Sequence, residues 1–497
     1  MPSVSTNLGR VMPVDKGAYN ATTNYSKLDM VHTADSTYVS KIDNNVGHAV
    51  TDTNYWTCYA SGTAATTAAA AADVATGRAN TAAEACEAYD SRMTRVEKSI
   101  EAVEAVDLSY LDINGNYNHK RNTANCYVVK KNGRYKLPLI YGNGIKNGEI
   151  NTAAFTKIEG STVADFVNHL GSVITTPYIE EMTGCRAESA LLVWCEAQNV
   201  IKGLQIVEGQ NGPRELLFNV ENFPATGANA IIGIADANGN CIWSWHIWLY
   251  PDELTTIEFE NHTAQNYNLL NVNLGWTWDD ANKNKGKNVH YQWGRKDPML
   301  SPASATSSSN HAAYGDKTFG TLDVKEEKTV ANAIAKPWLL FIQYDETLHN
   351  WNNLEYFYNF WDANCATTGA SDNVTVKTIY DPSPVGFKVP NGRTFTGFTT
   401  TGNYTEDPTQ FNVVGSFDKG WKFKANAEDT DGQFFAASGY RYNSSGGLGG
   451  VGGVGYFWSA AAYSQTYAYS LFFLSGYVNP LSNDNRAGGF SVRAVQE

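Results

Sequence analysis

The chain has 497 residues, more than one ordinary core serves, so its length calls for three or four independently packed units. Aromatic residues make up 12% of it, charged residues 18%, and 43 positions are glycine, a balance that favours β-rich units joined by tight turns. A formal charge of −13 sets the overall field against a sequence-independent grip on phosphates, which excludes nucleic acid as an expected partner.

The first ten residues carry no apolar stretch, small-residue cleavage site or early cysteine that would mark export or lipidation. No run approaches the ~18 apolar residues of a membrane span, so membrane insertion is not expected. The seven cysteines (Cys58, Cys86, Cys126, Cys185, Cys195, Cys241 and Cys365) are scattered and never sit at metal-ligand spacing. They read as mostly free, buried thiols, which suits assembly in a reducing compartment.

Residues 1–60 alternate short aromatic runs with turn residues and predict a small β-module with Tyr38 and Trp56 as a miniature core. The order of Lys16-Gly17-Ala18-Tyr19-Asn20, Leu28-Asp29-Met30-Val31, Tyr38-Val39-Ser40 and Asn54-Tyr55-Trp56 resembles the carbohydrate-binding-type modules near the ends of phage tail fibres. That resemblance implies an attachment piece meeting a phage tail or baseplate protein.

Residues 61–107 predict a stalk. Positions 68, 72, 75, 79, 82, 86, 89, 93, 96, 100 and 103 step by fours and threes and are all uncharged, from an alanine half to Met93, Val96, Ile100 and Val103. A 3.5-residue period held this long buries its seam only against another helix, which predicts a coiled coil with copies of the same chain. Resemblance to fibre proteins makes that a homotrimer. Residues 108–122 then read as a linker, with Asp112-Ile113-Asn114-Gly115-Asn116 a turn that starts like a calcium loop but lacks its closing Glu.

Residues 123–330 carry paired strand runs, among them Ala230 to Ala235 and Cys241 to Trp248 around the turn Asp236-Ala237-Asn238-Gly239-Asn240, and predict a β-sandwich spacer with a flexible tail over Ser301 to Asn310. Trp243-Ser244-Trp245-His246-Ile247-Trp248 and Tyr291-Gln292-Trp293-Gly294-Arg295-Lys296-Asp297-Pro298 resemble a sandwich domain of surface proteins in gut Bacteroidetes and their phages. Three places invite an enzyme reading. His246 lies in an alternating aromatic strand, where a hydrogen-bonded core imidazole is the commoner outcome. Asp279-Asp280 has no nearby partner ligand in sequence, and the Gly-rich tract Ser444 to Gly455 lacks the Lys-Ser/Thr ending of a phosphate loop. The chain is therefore read as a binding protein, not an enzyme, with no cofactor beyond an open question of structural calcium.

In residues 331–497, Ile379-Tyr380-Asp381-Pro382-Ser383-Pro384, Phe435-Ala436-Ala437-Ser438-Gly439-Tyr440-Arg441 and Tyr456-Phe457-Trp458-Ser459, followed by Gly489-Phe490-Ser491-Val492-Arg493, resemble the variable proteins of diversity-generating retroelements. That resemblance implies a C-type-lectin-like α+β domain sharing its fold with formylglycine-generating enzymes, whose catalytic cysteines find no counterpart after Cys365. It also implies cysteines at the places held here by Ser383 and Ala494, both absent together as one lost bridge would be.

Strand alternation puts Leu471 and Phe473 on one face and Phe472 and Leu474 on the other. The expected binding face is Phe457, Tyr463, Tyr467, Phe472, Leu474, Tyr477, Leu481 and Asp484, over a scaffold of Trp458, Leu471, Phe473, Phe490 and Arg493. The fold class is multidomain and mainly β, and the expected role is a phage tail-tip adhesin, carried in the virion, for a bacterial surface protein or glycan. A bacterial cell-surface or pilus-tip adhesin and a glycan-degrading enzyme are the alternatives.

Overall fold

The computed structural model describes residues 12–61, 71–89, 105–210, 212–278 and 286–497. The chain divides into two compact units, Met1–Val103 and Glu104–Glu497, and its strands fall into several sheets. The protein is mainly β.

In the first unit four strands, Val14–Ala18, Asp29–His32, Ser36–Ser40 and Trp56–Ser61, pair in chain order. Tyr25, Val31 and Trp56 form its core, with Tyr38 partly buried against them. Residues 71–89 are helical. Of the expected seam positions in that stretch, Ala75, Ala79, Ala82, Cys86 and Tyr89 are exposed and Ala72 is half-buried. The remaining positions of the seam, 68 and 93 to 103, lie outside the described residues.

The second unit opens on a four-stranded sheet in the spatial order Ser189–Cys195, Ala228–Ala235, Cys241–Leu249 and Cys126–Val129. A second sheet, Ile201–Val207, Glu215–Val220, Gly133–Pro138 and Val106–Asp107, shares a core with it, in which Leu137, Leu216 and Phe218 join Val193, Ile231 and Ile247. Every residue of Ala228–Ala235 and Cys241–Leu249 is buried, so both faces of these strands are covered. Residues from later in the chain contribute to that covering on both faces. Trp243 stacks near Tyr380 at 6.3 Å, Ser244 donates to Asp297 at 2.7 Å, and Asn125 donates to the Ile379 and Asp381 carbonyls at 2.6 and 2.9 Å.

This covering corrects the expected boundary at 330/331. Thr256–Glu260 and Asn266–Leu270 form a hairpin that pairs, at Leu269, with Val495–Gln496, which pairs in turn with Phe387–Lys388. Tyr291–Gln292 likewise pairs with Gly489–Phe490. Residues on either side of 330 thus complete the same sheets, and neither side holds a closed core alone.

Two connecting segments also differ from expectation. In the stretch read as a linker, Val106–Asp107 pairs with the strand Gly133–Pro138, and Asn114 exchanges hydrogen bonds of 2.8 and 2.9 Å with the Leu254 backbone. Asp112 accepts the backbone N–H groups of Asn114 and Asn116, so its carboxylate closes a turn. In the tail read as flexible, Ser301 is buried on Glu196, and Asn310 accepts from the buried Arg441 at 2.8 Å.

His246 is a core histidine, as the alternating strand suggested. Its ring nitrogens lie 3.0 Å from Asn229 Oδ1 and 3.3 Å from the Tyr291 hydroxyl, and burial pushes its pKa down to about 3. His290 is fully buried and is pushed to about 3 by burial and by the Arg441 charge. Both folded values lie below the ordinary 6.5, so unfolding takes up protons between pH 6.5 and 3 and stability falls as pH drops through that window. The two groups together set a maximal slope of about 2.7 kcal/mol per pH unit. Denaturant titrations from pH 7 to 4 should show this loss, and His246→Asn should flatten it; an unchanged slope in that variant would mean His246 is protonated in the folded state.

Candidate ligand-binding face

Three antiparallel strands, Gly455–Ala462, Tyr467–Leu474 and Tyr477–Asn485, form a sheet in chain order. Cross-strand partners and alternate residues share a face, so the register sorts the side chains. Phe457 opposite Leu471, and Phe473 opposite Val478, line one face. All four are fully buried in an aromatic core with Phe395, Phe423 and Phe435, where Phe473 packs edge-on to Phe423 at 5.3 Å.

The opposite face carries Tyr456 opposite Phe472, and Leu474 opposite Tyr477. Trp458, two residues along from Tyr456, plunges into the main core, where it stacks on Phe490 at 4.2 Å and donates its indole N–H to the Tyr291 carbonyl at 2.8 Å. From that anchor a continuous aromatic ladder runs outward. Phe490 stacks on Tyr456 at 4.4 Å, Tyr456 on Phe472 at 4.4 Å, Phe472 meets Tyr477 at 4.8 Å, and Tyr477 meets Tyr404 at 4.7 Å. Tyr440 and Tyr442 extend it sideways from Tyr456, at successive spacings of 5.3 and 4.9 Å. Tyr456, Phe472 and Tyr477 are half-buried, whereas Tyr404 and Tyr442 are exposed.

The glycine-rich tract supports this edge. Leu448–Gly449 pairs with Tyr440–Arg441, and a Cβ at Gly449 would stand 2.8 Å from the Tyr442 ring, so the ring lies closely over the glycine backbone. Asp484 accepts a hydrogen bond from the Ser470 hydroxyl at 2.5 Å, and burial pushes its carboxyl up, with the Ser470 and Ser482 hydroxyls working against that rise. The Tyr456 hydroxyl is raised by burial and then by the Asp484 charge.

The eight residues expected on one face are divided. Phe457 belongs to the core: the strand Gly455–Ala462 lies between two cores, so its neighbour Trp458 is buried on the other side. Tyr467 alternates with Leu471 and Phe473, not with Phe472; it sits 6.2 Å from His349, while the exposed Tyr463 packs on Tyr469 at 5.2 Å. Leu481 is half-buried where the register slips between Phe472 and Ser470. Phe472, Leu474, Tyr477 and Asp484 share the ladder side. Missing from the expected set were Tyr456, whose alternation with Trp458 was there to be read, and Tyr404, Tyr440 and Tyr442, which long-range pairing brings in. The five expected scaffold residues, Trp458, Leu471, Phe473, Phe490 and Arg493, are all buried.

All seven cysteines are free thiols, and Cys126, Cys185, Cys195 and Cys241 are buried. Among the described residues no three His, Cys, Asp or Glu side chains are grouped to hold a metal ion. Asp279-Asp280 lies outside the described residues. No helix among them is long and apolar enough to cross a membrane. No protein-family model, curated protein or solved structure matches the chain.

Proposed function

We propose that this chain is a receptor-binding adhesin of a phage tail tip, which grips a bacterial surface receptor through the aromatic ladder. The observation that carries the reading is the ladder itself. A row of half-buried and exposed aromatic rings stands on a sheet whose other face is locked in a core, and rigid tyrosine-rich surfaces give large contact area at low entropic cost. In this reading the second unit, Glu104–Glu497, combines a C-type-lectin-like frame with the β-sandwich sheets it is built on, and the N-terminal module is the joint to the tail. The exposed seam of residues 72–89 supports a homotrimer, whose three faces multiply a weak site by avidity.

The test separates folding from binding. Phe472→Ser with Tyr477→Ser removes two central rungs of the ladder, and hot-spot aromatics each contribute at least ~2 kcal/mol to affinity. Attachment to host cells should be lost while the melting temperature shifts by only a few degrees. Full attachment by a folded double variant would move the receptor site elsewhere.

A further inference from the structure

The sheet that carries the ladder is almost without charge. Across its three strands, Gly455–Ala462, Tyr467–Leu474 and Tyr477–Asn485, Asp484 is the single formally charged side chain. It belongs to the ladder side. It lies opposite Ala468, and its carboxylate accepts the Ser470 hydroxyl at 2.5 Å, Ser470 being the next residue on that face from Phe472. The Asp484 charge is felt at the hydroxyl of Tyr456, the rung stacked on Phe472. The outer end of the ladder repeats the sign, where the Tyr404 hydroxyl donates to the exposed Glu406.

Asp484 stands there against its own solvation. It is half-buried, burial pushes its carboxyl up, and only the neutral hydroxyls of Ser470 and Ser482 work against that rise, with no basic group among the described residues doing so. Arg486, two residues along, is committed elsewhere. Its guanidinium lies over the Trp293 ring at 4.3 Å, donates to the Tyr467 and Phe357 carbonyls, each at 3.2 Å, and also to the Ser464 carbonyl. A carboxylate held among aromatic rings without a counter-charge is costly, and an arriving cation relieves that cost.

We infer that the ladder takes a basic side chain, lysine or arginine, of a protein receptor, with its charged head at Asp484. The inference deepens the adhesin reading and rests on it. Other ligand chemistries meet this face poorly. An anion is repelled at both ends. A neutral glycan hydrogen-bonds a carboxylate but covers it without an opposite charge, and any sugar, an amino sugar included, sets ring hydroxyls against Phe472 and Leu474. A basic side chain answers both parts of the face: its apolar stem lies along the rungs while its head supplies the missing charge, and the rings add to the attraction.

The test uses the full chain with two probes of one shape and different charge, N-acetyl-arginine amide and the neutral N-acetyl-citrulline amide. Saturation-transfer NMR should show the arginine compound bound, and the citrulline compound at least about tenfold weaker. Asp484→Asn, which keeps an oxygen for Ser470, should bring the arginine compound down to the citrulline level at unchanged melting temperature. On host cells the same variant should attach about thirtyfold less well. Raising NaCl from about 0.05 M to about 0.5 M should weaken attachment of the parent severalfold and leave the variant unmoved. Trypsin treatment of the cells should abolish attachment. Equal binding of the two compounds, or full attachment to trypsin-treated cells, would overturn the inference. Full attachment by Asp484→Asn beside loss in Phe472→Ser with Tyr477→Ser would overturn it and leave the adhesin reading standing, whereas full attachment by both variants would remove both. If Asp484→Asn fails to fold, the comparison of the two compounds on the parent chain decides.

Discussion

Trp458→Ala should lower the stability of the second unit by about 3–5 kcal/mol, among the largest losses available to a single truncation in this chain. The side chain is fully buried, its ring lies on Phe490 at 4.2 Å, and its N–H satisfies the Tyr291 carbonyl. Alanine leaves a cavity in the main core and an unpaired carbonyl together, and the ladder loses the anchor from which it projects. Calorimetry should show a melting temperature lower by several degrees, accompanied by weaker receptor attachment because Phe490 and Tyr456 lose their backing. A variant that melts like the parent would mean the sheet is not anchored through Trp458.

Asp381→Ala should be as damaging for an electrostatic reason. Lys377 and Asp381 form a fully buried pair, with 3.1 Å between Nζ and Oδ1. Lys377 also donates to the carbonyls of Ser383, Pro384 and Phe387 at 2.7, 3.2 and 2.5 Å. Asp381 accepts the N–H groups of Ser383 and Val389 at 2.7 and 2.8 Å. Removing the carboxylate strands a buried ammonium and two backbone donors, a loss of about 3–5 kcal/mol, whereas replacing both partners by apolar residues typically costs far less. Denaturant midpoints should therefore fall steeply in Asp381→Ala and recover in part when Lys377→Met is added. No recovery in the double variant would show that the backbone contacts of Asp381, not its charge, hold this loop.

The sequence was most legible where period 2 met a single covered face. Leu471 and Phe473 against Phe472 and Leu474 were sorted correctly because one side of that strand ends in a core and the other is only partly covered. Phe457 was misplaced by the same rule: alternation separates it from Trp458, but says nothing about a sheet packed on both sides at that point. Cys241–Leu249 is a larger case, since part of its covering on both faces comes from residues such as Asp297 and Tyr380, far along the chain. The domain boundary failed for a related reason. A pairing such as Leu269 with Val495 leaves no local signal, and the Ser-rich stretch after Leu300 that read as a flexible tail is held by Arg441. Tyr404 reached the ladder through the bridge between Thr405 and Val478, equally silent in sequence.

The strand Val495–Gln496 has one more consequence, for the order in which the molecule comes into being. It sits between Asn266–Leu270 and Phe387–Lys388, so neither of those edges is satisfied until residue 496 has left the ribosome. The earlier hairpin emerges long before its partner and waits with an open edge, the state most exposed to mispairing with neighbouring nascent chains. Closure of the second unit therefore waits for this late strand and has high contact order, slow by topology alone, whatever the strength of its finished core.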